Sequence, residues 1–199
     1  MRRAPRIQLL TTALLIALPA LADAGPPLIC HPFQTAGAEL LTWGSGPEWN
    51  NPARNYDVQR LTADTLRLLT PDTPVLARME NLRRAAIYAT QNQGAADALL
   101  HALTQRATAA DANATALFDA GYLIEAYKQS AHMYRWSPPG QDGYAMVVRA
   151  IGMTRDAAAM EFAASLMSRG ADAQAHLRRA RAAASSQPLL AQNIETHWR

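Results

Sequence analysis

Glu80, Arg84 and Tyr88 recur every four residues, a spacing that stacks a carboxylate, a guanidinium and a phenol on one face of a helix. Arg78 and Arg83 flank them. Further along, Tyr122, Glu125, Gln129 and His132 recur at steps of three and four, in register with Phe118 and Trp136. The opposite face of that segment runs Leu117, Ala120, Ile124, Tyr127, Ala131 and Tyr134. A helix apolar on most sides belongs in the interior of a fold. A carboxylate carried there needs a partner, because an unpaired buried charge costs several kcal/mol, roughly. The sequence therefore places Glu125 against an arginine of the helix at 74–92, with His132 in the same cluster. Such a cluster is either a salt-bridge network that fixes helix register or a polar pocket lined by Tyr, Arg, Glu and His.

Cys30, the single cysteine, stands beside His31 in GPPLICHPFQ. An adjacent Cys-His pair is short of a metal site, since neighbouring residues rarely reach one ion and zinc takes three or four ligands. A lipoprotein signal resembles Leu-x-small-Cys, and Ile29 fills the position that must be small. Pro32 biases His31 towards extended geometry. LICHPF thus reads as an extended strap that packs Leu28, Ile29 and Phe33 on a helical body, with Cys30 a buried, slowly reacting thiol. His101, His176 and His197 stand alone on helices, where packing or exposure is the simpler reading. Phosphate-cradling loops, paired-cysteine motifs, a nucleophile elbow and His-Glu-x-x-His are absent from the sequence. No catalytic residue, metal or cofactor is assigned.

The compartment comes from residues 1–24. MRRAPR is a positive start, and IQLLTTALLIALPALA is an apolar run too short to span a bilayer comfortably. Ala20-Leu21-Ala22 and Ala22-Asp23-Ala24 are small-x-small cleavage sites. This is the pattern of a removable export signal, and it implies a periplasmic or secreted protein with no stable membrane insertion once the signal is gone. Taking away residues 1–24 removes three arginines and Asp23, leaving 16 basic and 15 acidic residues. No basic field then remains to attract nucleic acid.

The remaining elements are helical. Hydrophobic residues make up 49% of the chain and aromatics only 7%, a balance that suits packed helices rather than a sandwich or barrel. Residues 25–56 read as the strap, a short helix over 35–41 and a Gly/Pro/Asn-rich loop whose Trp43 and Trp49 peg into the core. From 57 to 199 the chain is one all-helical domain. Asp57 caps a helix with the stripe Val58, Leu61, Thr65, Leu68 and Leu69. Asp72 or Thr73 caps the helix 74–92, and others follow at about 95–108, 112–136, 143–152, 156–169, 171–185 and 187–198. Short connections predict antiparallel hairpins: 74–92 with 95–108, 112–136 with 143–152, and 156–169 with 171–185. The fold class is all-α, hairpins stacked as a short repeat-like array or irregular bundle.

LRRAAIYATQNQGAADALLHAL, with Ala85, Ala86, Tyr88, Gly94, Ala98, Leu99 and Leu103, resembles a tetratricopeptide-type hairpin, and AGYLIEAYKQ resembles part of the same motif. The whole chain, through LICHPF, NLRRAAIYA and ALFDAGYLIEAYKQ, is similar to secreted bacterial proteins without an assigned activity. A helical array presents helix faces to a partner. The leading expectation is an exported binding or scaffold module for a protein or peptide, not an enzyme. The alternative is a small-molecule-binding protein or enzyme built on Glu80, Arg84, Tyr88, Tyr122, Glu125, Gln129 and His132. A closed, fully paired interior would favour the first, and an open cavity with unpaired polar groups the second.

Overall fold

The computed structural model describes residues 28–46, 48–134, 137 and 139–198, without the side chains of 132–134. The export signal, Trp136 and the side chain of His132 lie outside that description. Eight α-helices are described: α1 (Leu61–Leu68), α2 (Val75–Ala89), α3 (Gln93–Thr108), α4 (Ala114–Tyr134), α5 (Gly143–Gly152), α6 (Ala158–Met167), α7 (Gly170–Ala184) and α8 (Pro188–His197). A short 3-10 turn, Val58–Arg60, leads into α1. No strand occurs among the described residues, and no helix among them is long and apolar enough to cross a membrane.

Local chemistry sets the helix starts. Asp57 accepts from the Gln59 amide, Asn92 from Ala95, Asn113 from Ala116 and Asp142 from Ala145, each a side-chain oxygen on an otherwise orphaned N–H. Neither Asp72 nor Thr73 caps α2. Pro74 occupies its N-cap position, while the Thr73 hydroxyl donates to Leu68 O at the end of α1. The segment 35–41 is not helical. Ala36 and Gly37 turn through φ 52° and 80°, the left-handed region that interrupts a right-handed helix. Ala38 N donates to Thr35 O within the turn, and side chains of α2 take Glu39 O and both main-chain groups of Leu41.

α4 is the central helix, packed on α2, α3 and α5, as expected from its apolar girth. Phe118, Tyr122, Leu123 and Ile124 are fully buried. The hairpins α4–α5 and α6–α7 are the closest-packed pairs. α2, in contrast, lies chiefly on α4 and touches α3 little, a departure from the 74–92/95–108 hairpin. The reason is that α2 buries nearly its whole circumference, and a single neighbour could not cover it. Gly121 and Gly143 make the α4–α5 crossing possible. A Cβ on Gly121 would stand 2.5 Å from Gly143 O, and one on Gly143 would meet Gly121 O in return. Leu28, Ile29, Phe33 and Leu41 of the strap join the same core, as LICHPF suggested.

Candidate functional site

α2 carries Arg78, Glu80, Asn81 and Arg83 to the interior, all at 1% exposure or less. So many polar groups can be buried only because each has a defined partner. Arg83 grips both oxygens of Glu80, Nε to Oε2 at 2.8 Å and Nη2 to Oε1 at 2.9 Å. Arg84 adds Nε to Oε1 at 2.7 Å, and the Phe33 amide donates to Oε2 at 3.0 Å. Burial alone would raise the Glu80 carboxyl, but the two guanidiniums and this amide outweigh it and hold it below its usual value.

The rest of the cluster turns to the strap. Arg83 Nη1 donates to the carbonyls of Ile29 at 3.1 Å and Trp49 at 2.9 Å. Arg84 donates to Leu41 O at 2.6 Å. Asn81 accepts from Leu41 N at 2.7 Å and donates to Glu39 O at 3.3 Å. Tyr88 does the same two turns further, donating to Thr42 O and accepting from Ala53 N. Gln129 of α4 accepts from Leu28 N at 2.6 Å. Asn193 of α8 takes both main-chain groups of Gln34, at 2.9 and 3.0 Å. The expected pocket is therefore a clasp already filled by residues 28–53. Trp43 lies under the guanidiniums of Arg83 and Arg84, 5.2 and 5.4 Å from their carbons, and its ring meets Tyr88 edge-on.

Of the expected site residues, Glu80, Arg84, Tyr88 and Gln129 meet in this clasp. Tyr122 is buried close enough to Glu80 and Arg83 to feel their charges, and burial raises its phenol well above the usual value. Glu125 is elsewhere. It pairs with Lys128 of its own helix at 2.8 Å and accepts from Tyr144 N at the start of α5 at 3.1 Å. The arginine assignment for Glu125 is thus corrected: α4 is rotated so that Asp119, not Glu125, faces α2. Arg78 Nη1 binds Asp119 Oδ2 at 2.6 Å. Its other nitrogens hold the carbonyls of Thr73 and Thr70.

Two arrangements had no signal in the spacing. Asp119 Oδ1 has no hydrogen-bond partner in the described structure, and burial, opposed by Arg78 and Arg106, pushes this carboxyl up to about 7. On the far side, Glu161 of α6 accepts from Arg179 Nε at 2.7 Å and faces His176 Nδ1 at 2.5 Å. A carboxylate can only accept, so Nδ1 carries a proton, and Nε2 lies 2.8 Å from the Tyr144 hydroxyl. Arg179 Nη2, 2.7 Å from the same Nδ1, is then a close contact rather than a bond. This order, hydroxyl to imidazole to carboxylate, is that of a base-activated nucleophile. Burial and nearby Asp172 raise the Tyr144 phenol. The cluster ties α5, α6 and α7 together.

No group of three or more metal-ligating side chains is gathered among the described residues. Cys30 is half-buried against the core, and burial raises its thiol against the lowering influence of Arg83. A partly apolar groove of about 490 Å³ lies where α2, α4, α6 and α8 begin, with Val75, Ala159 and Leu189 among its apolar lining and Asp72 and Asp156 among its polar lining. Compared with protein families, curated proteins and solved structures, the chain finds no match in any of the three.

Proposed function

We propose that this chain is a helical binding module for a polypeptide partner, and that the partner docks in the groove at the starts of α2, α4, α6 and α8. The observation that carries the reading is the contrast between two regions. The polar interior that an enzyme or small-molecule site would use is closed and filled by the chain's own strap. The groove is open, and its lining is chemically suited to a peptide. That lining is partly apolar, its ionisable residues are Asp72 and Asp156, and neither Arg, Lys nor His lines it. The first turns of α2, α6 and α8, which border it, have no side-chain cap. An apolar segment with a lysine or arginine flank fits these features.

Panning a displayed peptide library on the full chain tests this. Enriched sequences are expected to combine apolar residues with a cationic flank, and to lose binding at least tenfold on Leu189→Asp. The absence of any enriched sequence, or binding indifferent to both Leu189→Asp and Val75→Asp, overturns the reading. Export is part of the same proposal, supported by the pattern of residues 1–24. Mass spectrometry of protein from the native host is expected to find a chain starting near Asp23 or Gly25, and an intact Met1 in the mature pool argues against it.

A further inference from the structure

The strap is held on the helices through their side chains. Every main-chain bond described between residues 28–42 and the helices runs to a side chain, not to another main-chain group: Gln129, Glu80, Asn193, Asn81, Arg83 and Arg84 supply most of them. Asn193 and Asn81 each supply one acceptor and one donor. This is how a helical surface holds an extended backbone irrespective of its side chains. Side-chain selection is confined to Leu28, Ile29, Phe33 and Leu41, which are buried, whereas His31, Pro32, Gln34 and Glu39 are exposed. Seen from α2, the strap is bound as a peptide ligand would be.

We propose that this clasp is a peptide-binding site masked in cis, and that its ligand in trans is an extended partner segment with apolar anchors spaced like Ile29, Phe33 and Leu41. The helices also have contacts of their own, α4 packing on α2, α3 and α5. On release of the strap, the clasp's polar groups exchange strap carbonyls and amides for water. Four apolar side chains are uncovered, and Ala36 leaves its left-handed φ of 52°. No disulfide ties the segment down, Cys30 being a free thiol. The apparent affinity of the site for an incoming peptide is its intrinsic affinity reduced by the fraction of molecules with the strap undocked. The site is separate from the groove at the helix starts, and groove substitutions leave it unchanged.

Two measurements on the full chain decide the matter. The first is hydrogen exchange of the unaltered protein. The amides of Leu28, Phe33, Gln34 and Leu41 are expected to exchange together, at least tenfold faster than the buried amides of α2 and α4. Exchange of both sets at one common rate means the strap opens only with the whole fold, and overturns the proposal. The second is binding of a labelled synthetic peptide of residues 28–43. It is expected to bind the Phe33→Ala chain at least tenfold more tightly than the unaltered chain, and to lose that binding when its own Phe33 is replaced by Asp. A folded Phe33→Ala chain that ignores the peptide overturns the proposal, as does one that pairs with its own copies and excludes the peptide. Where Phe33→Ala does not fold, the exchange measurement on the unaltered chain still decides.

Discussion

Glu80 and Asp119 are both buried carboxylates, both face arginines of α2, and they ionise in opposite senses. Glu80 receives Arg83, Arg84 and the Phe33 amide, so both oxygens are saturated and its carboxyl is held low despite burial. Asp119 receives Arg78 on one oxygen while the other is unpartnered, and burial pushes it up to about 7. The difference teaches that one guanidinium at 2.6 Å does not compensate the desolvation of a carboxylate, whereas several donors do. It also shows where the fold spends its polar chemistry: on seating the strap, not on the α2–α4 contact.

The largest expected effect comes from breaking the saturated site. Arg83 is fully enclosed with Glu80. Arg83→Ala removes two bonds to that carboxylate and orphans the carbonyls of Ile29 and Trp49. A loss of about 3–5 kcal/mol is expected, the usual consequence of removing one partner of a buried pair, measured by denaturant unfolding. The strap should loosen with it, so native labelling of Cys30 by a thiol reagent, slow in the unaltered chain, should become at least tenfold faster. Arg78→Ala, which touches no strap residue, should leave that labelling rate unchanged. Equal acceleration by both would mean that Cys30 reports global unfolding rather than release of the strap.

The next effect is in the pH dependence. Asp119 holds its proton more firmly folded than unfolded. Its contribution to stability is therefore complete below the ordinary carboxylate pKa of about 4 and lost as pH rises through about 7. Glu80 has the opposite sign. Its contribution is present above the ordinary carboxylate range and lost as pH falls through its depressed value. Asp119→Asn should remove the first slope and leave the second. Its Tm, compared with that of the unaltered chain, should gain between about pH 4 and pH 8. Parallel Tm profiles would show that Asp119 titrates alike in both states.

Much of this could be read in the residues. The helices are close to their sequence-derived limits because signals such as the Asp57 side chain at the first helix start act locally. The burial of Leu28, Ile29 and Phe33 and the pairing of Glu80 with Arg84 were equally legible. What was not legible depends on rotation about a helix axis. On α4 both Asp119 and Glu125 sit among apolar residues, and a period of 3.6 does not say which of them meets α2. Glu125 aligns with Gln129 and His132 along the sequence, whereas the close approach of Gly121 to Gly143 accompanies a rotation that seats Asp119 against α2. Asn81 and Asn193 carry no sequence signal, since an asparagine that binds main chain has no partner visible in sequence. The Glu161–His176–Tyr144 chain unites three helices in the same way.

Glu125 supplies the smallest effect and the sharpest contrast with Glu80. Its side chain is 15% exposed and its ion partner Lys128 is 32% exposed, so water screens the pair and its contribution is between about 0 and 1 kcal/mol. The bond to Tyr144 N is of another kind. It satisfies an N–H in the first turn of α5 from a neighbouring helix, which is the task of a capping side chain and contributes about 1 kcal/mol. Asp142 already caps that turn through Ala145 N, so loss of Glu125 frees a single amide. Glu125→Ala should therefore cost about 1 kcal/mol in denaturant unfolding, and Glu125→Gln, whose amide oxygen can still accept from Tyr144 N, less than half of that. A loss of about 3–5 kcal/mol, as at Arg83, would mean that Glu125 is enclosed and paired like Glu80, and the distinction between the two faces of α4 would fall with it.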